Sequence, residues 1–341
     1  MKKITAIFIF ILLFSSAAYS DDVWLVMGDT TAKGAAGQIF AQLIVDKINA
    51  AKSGLQIDYY PNGELGGDSE LLTKAKNGEI AITICQTAPV VAFVPEMAVF
   101  DLPMAFARYH GDVIDRVLNS DSDFRKKISQ AYENAGLHLL GFMQNATYRL
   151  VTSNKDLLTI NDFIGLKIRT MQNENHMAFW YALGAEPTPI AWKEVKNSLA
   201  ANVIEAQENA ADTCVGAGLY EVQKYLACTD HILYCNQICI NAEIYNNLSN
   251  EHKQVLDSAV SSAVQEMRKR LSDIDFNNKN VLESSGMYIV EYDRYFFEDV
   301  LSIQAVKDLY SKIDTETSGL ASALVKSLDE VEQALKAEQA D

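Results

Sequence analysis

Apolar positions along the chain change period several times, and the changes divide it into elements. Val23–Met27 is an apolar run that reads as an opening strand. Ala35–Ala51 carries Ile39, Phe40, Leu43, Ile44 and Ile48 on one side of a helical period, which predicts an amphipathic helix. Leu55–Tyr60 alternates as a half-buried strand does. Pro61 to Asp68 is a tight turn leading into a predicted helix over Ser69–Asn77, and Ile80–Cys85 is a third strand. This β-α-β-α-β order predicts a parallel sheet with crossover helices.

A second such run begins at Leu137. Strands are expected at Leu137–Met143, Tyr148–Thr152, Leu166–Arg169, Ile204–Gln207 and Tyr234–Asn241. Between them a helix starts near Asn161, and helices are expected at Glu174–Leu183 and Trp192–Ala201, with Thr188–Pro189 short and extended. Two successive α/β units with no low-complexity linker predict two lobes that face a cleft and are joined by structured crossings. Leu248–Ser285 is the longest helical pattern, with Leu256, Val260, Ala263, Val264, Met267, Leu271 and Ile274 on one stripe. A helix of roughly 30 residues reaches roughly 45 Å, enough to touch both lobes, and Asn277-Asn278 is its weak point for a bend. A charged amphipathic helix is expected over Ala321–Ala340, fraying after Gln333.

Composition refines the picture. With 341 residues, of which 49% are hydrophobic, there is enough chain and apolar surface for two cores. Lys2 and Lys3, the apolar run Ile4–Phe14 and Ala18-Tyr19-Ser20 form a secretory signal over residues 1–20, with the mature chain starting near Asp21. No cysteine follows the apolar run to carry a lipid anchor, and no later window has the apolar length of a transmembrane helix. A net charge of −16 argues against nucleic acid or an anionic membrane as partner. An anionic ligand would need a local positive pocket inside that negative envelope. The cysteines are Cys85, Cys214, Cys228, Cys235 and Cys239, an odd number, so at least one has no intrachain partner. Their spacing fits no common zinc pattern, and they read as small buried apolar residues.

Candidate chemistry concentrates in Gly165–Asn209. Arg169 ends a short β run, and a guanidinium fork at a strand end suits a carboxylate, which it can grip bidentately. Strand ends and the loops after them are where α/β sheets hold ligands. Period two alone does not decide between pocket and solvent, because Arg169 shares its face with Lys167. Trp192 follows a Pro189-Ile190-Ala191 turn and suits either core packing or apolar contact with a ligand. Asn209 suits either a turn or a pocket. Glu208 suits a local structural pairing, since a free carboxylate there would repel an acid. The five histidines are scattered without metal spacing, the lysine of Gly28–Gly37 precedes the glycine where a phosphate loop needs it after, and no hydrolase or zinc-protease motif is present. No metal or cofactor is expected.

Several motifs, in order and spacing, carry a family resemblance over nearly all of the mature chain. Tyr60 to Asp68 (YPNGELGGD) matches a YPxxxLGxD turn, and Phe163 to Arg169 matches DLKGLKxR with Phe-Ile in place of Leu-Lys. Gly184 to Pro189 with Glu194-Val195 matches GAxPxP…EV. Gln207-Glu208-Asn209 matches DxQEN with Glu205 at the acidic position, and Tyr220 to Tyr225 matches a further shared run. The sequence thus resembles the extracytoplasmic solute-binding proteins of TRAP transporters, the DctP-type family. That resemblance implies an α/β, two-lobe periplasmic-binding-protein-like fold, with a ligand cleft between lobes and a long helix spanning both. It places residues 21–146 plus 235–274 in one lobe and 147–234 plus 275–341 in the other.

By the same resemblance Arg169 pairs with a ligand carboxylate and Arg149 lies near the same group. Asn209 donates or accepts an amide hydrogen bond, and Trp192 packs on the ligand body. Asp68, Gln86 and Asp29 reach in from the opposite lobe. Sialic-acid-binding members carry Glu at the Gln86 position and Arg at the Pro89 position, so this chain departs from them; Asn209-Ala210 stands where the family motif usually ends in Asn-Pro. The implied function is capture of a small organic acid, a sugar acid or a dicarboxylate, in the periplasm by a monomeric protein and its delivery to a TRAP membrane permease. A ligand-presenting sensor subunit is the alternative; an exported enzyme acting on organic acids would need a nucleophile, metal set or positioned acid–base pair that the motifs do not supply.

Overall fold

The computed structural model describes residues 22–144 and 147–338, so the expected signal over residues 1–20 lies outside the described residues. Its strands, in chain order, are β1 Val23–Asp29, β2 Leu55–Tyr60, β3 Ile82–Gln86, β4 Leu137–Met143, β5 Leu150–Ser153, β6 Lys167–Thr170, β7 Glu186–Pro189, β8 Ala206–Asn209, β9 Tyr225–Ala227, β10 Asn236–Asn241 and β11 Tyr288–Val290. They form two sheets, β2-β1-β3-β10-β4 and β11-β9-β5-β8-β6-β7. The fold is the expected two-lobe α/β arrangement. Strand β1 pairs in parallel with β2 and β3, and helices Ala36–Ala51 and Asp68–Lys76 supply the crossovers.

Strand β10 comes late in the chain yet inserts antiparallel between β3 and β4. All of its residues are buried, as an interior strand covered on both faces requires. The chain therefore passes from one sheet to the other after β4 and returns before β10. These two crossings pair with each other: Arg149 N donates to Ile232 O and Tyr234 N to Thr147 O, both at 2.8 Å, around a bridge between Tyr148 and Leu233. Two paired strands make a narrow connection about which the lobes can swing.

The long helix, Asn250–Ser284, runs unbroken through Asn277 and Asn278. Ser249 caps it by accepting from His252 N at 3.1 Å. Leu256, Val260, Val264, Met267 and Leu271 bury its stripe in the core that includes Phe40, Ile44 and Ile240. Leu282, near its other end, is buried with Leu150 and Leu226 of the second sheet. One helix therefore contributes to both cores. The last helix, Leu320–Glu338, extends past the expected fraying point at Gln333, and Arg116 pairs with Glu338 at 3.2 Å. It packs on helices Gly111–Asn119 and Asp123–Asn134, so the tail of the chain returns to the side of the first sheet. All five cysteines are buried and free. Burial pushes the Cys214 and Cys239 thiols up to about 12, which keeps them in the inert form.

Trp180 is fully buried, stacked 5.7 Å from Phe163 and edge-on to Phe179 and His231 at 4.9 and 4.8 Å. Trp180→Ala is expected to lower unfolding free energy by about 3–5 kcal/mol in denaturant titrations. A loss below about 1 kcal/mol would show that this cluster does not anchor the second lobe.

Candidate functional site

Register brings the candidate residues together. In the second sheet β6 runs parallel to β7 and β8, with Arg169 opposite Thr188 and Gln207. Arg169 thus sits at the carboxyl end of parallel strands, and Asn209 ends β8 beside it. Arg149 directly precedes β5, whose Leu150 pairs with Asn209. In the first sheet, β1 ends at Asp29 and β3 at Gln86. Asp68 opens its helix after a turn in which Gly66 takes φ of 130°, a conformation that suits glycine. The carboxyl ends of both sheets face one another, the place where open α/β sheets bind ligands.

Arg169 is 3% exposed. Its Nε donates to Ile190 O at 2.8 Å, and its guanidinium lies 5.5 Å over the Trp192 ring. Its Nη1 is buried and finds no hydrogen-bond partner among the described residues. Nor does any carboxylate among them lie within ion-pair distance of it. Burial lowers its pKa to about 10, with Arg149 adding to the effect and Glu208 and Asp68 opposing it. It remains charged at neutral pH. A fixed, charged fork with an unmet donor has the chemistry to grip a carboxylate.

Arg149 is equally buried but fully engaged. Its Nε is paired with Glu208 Oε2, its Nη1 with Gln86 Oε1, and its Nη2 donates to Glu208 O at 2.7 Å. Glu208 also meets His231 Nε2 at 3.3 Å and His176 Nδ1 at 3.5 Å. Burial alone would raise the Glu208 pKa, but Arg149 and the two histidines hold it well below the usual carboxylate range. Burial likewise opposes charge on His176, yet the hydrogen bond to Asp101 and the Glu208 carboxylate 3.5 Å away outweigh it and lift its pKa to about 9. Asp101 Oδ2 also accepts from Asn173 at 2.8 Å and Asn175 at 3.0 Å. A buried chain of charge runs from Arg149 through Glu208 to His176 and Asp101.

Trp192 opens helix Trp192–Ala200 and is half-buried under Arg169. Asn209 Oδ1 accepts from Gln86 Nε2 at 3.4 Å, so these two residues span the lobes. Asp68 accepts from Thr30 Oγ1 at 2.6 Å. Burial raises its pKa, against the pull of Thr30, Arg169 and Arg149. Asp29 lies inside its own turn, its oxygens accepting from Tyr59 Oη at 2.6 Å, Thr31 N at 3.0 Å and Asn62 N at 3.3 Å. Sequence reasoning did not single out Asn236, which pairs in register with Gln86 and whose Nδ2 is buried without a partner among the described residues. It also took His176 for an ordinary residue and passed over Asp101. They lie 75 positions apart, and no local pattern links them.

The family model described as bacterial extracellular solute-binding protein, family 7, matches residues 26–313. The sialic acid-binding periplasmic protein SiaP of Vibrio cholerae is 27% identical, over 92% of this chain and 96% of its own. The 2,3-diketo-L-gulonate-binding periplasmic protein YiaO of Escherichia coli is 26% identical, over 89% of each. Among solved structures, a TRAP periplasmic solute-binding protein of Polaromonas, bound to D-erythronate, superposes with a TM-score of 0.80 at 26% identity, covering 89% of this chain and 98% of the other.

The raised pKa of His176 fixes the sign of a pH effect. Its stabilising contribution is complete below pH 6.5, its ordinary value, and is lost as pH rises through about 9. The wild-type chain should lose roughly 2–3 kcal/mol relative to His176→Gln between pH 6.5 and 9.5 in paired denaturant titrations. Parallel stability curves would contradict the charged-histidine assignment.

Proposed function

The chain belongs to the bacterial extracellular solute-binding proteins of family 7, and from that premise we propose that it captures a hydroxylated monocarboxylate outside the cytoplasmic membrane and delivers it to a TRAP permease. The observation that carries the reading is the buried, charged Arg169 with Nη1 unmet, held over Trp192 between the two sheets. The ligand carboxylate docks on Arg169. Asn209 and Gln86 border it from the two lobes, and the Trp192 ring covers its apolar side.

Asp68 supports the narrower choice of ligand. Its carboxylate lies on the opposite lobe, near enough to influence Arg169. Hydroxyls donate to such a group, whereas a second carboxylate would be repelled by it. A sugar acid therefore suits the cleft better than a dicarboxylate. The E. coli relative named for 2,3-diketo-L-gulonate and the Polaromonas protein bound to D-erythronate are in keeping with that class. Each charge-assisted hydrogen bond contributes roughly 1.5–3 kcal/mol, so two or three with ring packing reach the ~8 kcal/mol of a micromolar complex. Ligand favours the closed arrangement because both lobes touch it only there.

Arg169→Lys should weaken D-erythronate binding about a hundredfold by calorimetry, because an ammonium cannot make the two-pronged contact. Unchanged affinity would refute the role of Arg169. In a thermal-shift comparison, D-erythronate should raise the melting temperature more than succinate at equal concentration. The reverse order would favour a dicarboxylate ligand and remove the part assigned to Asp68.

A further inference from the structure

Helix Ala36–Ala51 begins without a cap of its own. Its N-cap residue is Ala35, extended at φ −73° and ψ 157°, with no side chain able to accept from the first turn. The missing acceptor comes from far along the chain. Ala36 N donates to Asp212 Oδ2 at 2.8 Å, in a bond that is fully buried and links residues 176 positions apart. Asp212 heads helix Ala211–Gly216, immediately after β8 and Asn209, and so belongs to the second sheet's unit. Its other oxygen accepts from Thr213 N at 2.6 Å. Close packing accompanies the bond: a Cβ placed on Gly216 would lie 3.3 Å from Ala32 Cβ. Thr147 and Tyr234 of the crossings and Leu271 and Ile274 of the long helix gather around Ala36 and Asp212. The start of a first-lobe helix, a second-lobe carboxylate, the hinge strands and the long helix meet at one point.

We infer that Asp212 is a positioning residue that ties the two lobes in their closed arrangement by capping, from the second lobe, the first-lobe helix that starts at Ala36. Opening the lobes separates the carboxylate from the amide and leaves both to water. The tie also reaches the ligand side. The loop between β1 and this helix carries Thr30, whose hydroxyl donates to Asp68. Fixing Ala36 therefore fixes the loop that orients Asp68. The favourable sign of a carboxylate at a helix N-terminus adds to the hold. This inference does not depend on which acid binds.

The test uses the full mature chain with nitroxides at Lys76→Cys and Lys193→Cys, two exposed positions on opposite lobes, since the native thiols are buried. Interlobe distances are read by pulsed electron resonance with and without D-erythronate, and dissociation rates by stopped flow. Asp212→Ala is expected to deplete the short-distance population and to speed D-erythronate release about tenfold, equivalent to ~1.4 kcal/mol. Asp212→Asn keeps an acceptor and should fall between. Adding Ala35→Ser to Asp212→Ala supplies a local cap, so it should restore the melting temperature but neither the distances nor the release rate. Distance distributions that coincide in all variants, with and without the acid, overturn the inference. So does recovery of the distances by Ala35→Ser, which would make Asp212 a helix cap and nothing more. A chain that does not bind D-erythronate but whose distances shift in Asp212→Ala upholds the tie and counts against the carboxylate reading instead.

Discussion

A guanidinium taken out of water destabilises the protein unless its donors and its charge are met. Two arginines lie buried near enough for one to act on the charge of the other, and they are met differently. Glu208 and Gln86 satisfy Arg149 from within the chain. Arg169 has one carbonyl and one aromatic face, and a donor left over. The rest of the structure is arranged around that imbalance. Parallel strands aim Arg169 into the seam, a Pro-bounded turn brings Ile190 and Trp192 against it, and the first lobe brings Asp68 to the far side.

The engaged arginine matters as much as the unmet one. Were Glu208 free, it would cancel the field that Arg169 presents to an acid. Held by Arg149, His176 and His231, it is neutralised locally, and its low pKa keeps it ionised as their common partner. The same network crosses the lobes through Gln86 and Asp101. Charge balance in the second lobe and contact with the first are therefore one arrangement. Breaking a buried pair by removing one partner leaves an uncompensated charge, which makes such a network stiff.

Much of this was legible in the sequence, for identifiable reasons. Helices with clean periods, such as Ala36–Ala51 with Phe40, Ile44 and Ile48 buried, fall where the pattern puts them, because one buried face dictates the spacing. Arg169 was legible as a fork at a strand end, although its own period could not tell pocket from solvent; the Ile190–Trp192 turn packed against its guanidinium supplies the cover. Less legible were features made by distant residues meeting. The stretch between β3 and β4 folds into short helices and turns whose burial comes from tertiary packing. His176 meets Asp101, and Asp212 meets Ala36, through topology alone. Helix Leu320–Glu338 continues past Gln333 packed on helices that include Gly111–Asn119 and Asp123–Asn134, a support its own composition does not reveal.

The most direct measurement is a crystal structure of the protein grown with D-erythronate. The account predicts the carboxylate on Arg169, both Nη nitrogens within about 3 Å of its oxygens, with Arg149 still on Glu208 and hydroxyls turned toward Asp68. A carboxylate bound away from Arg169, or seated on Arg149 with Glu208 displaced, would contradict it.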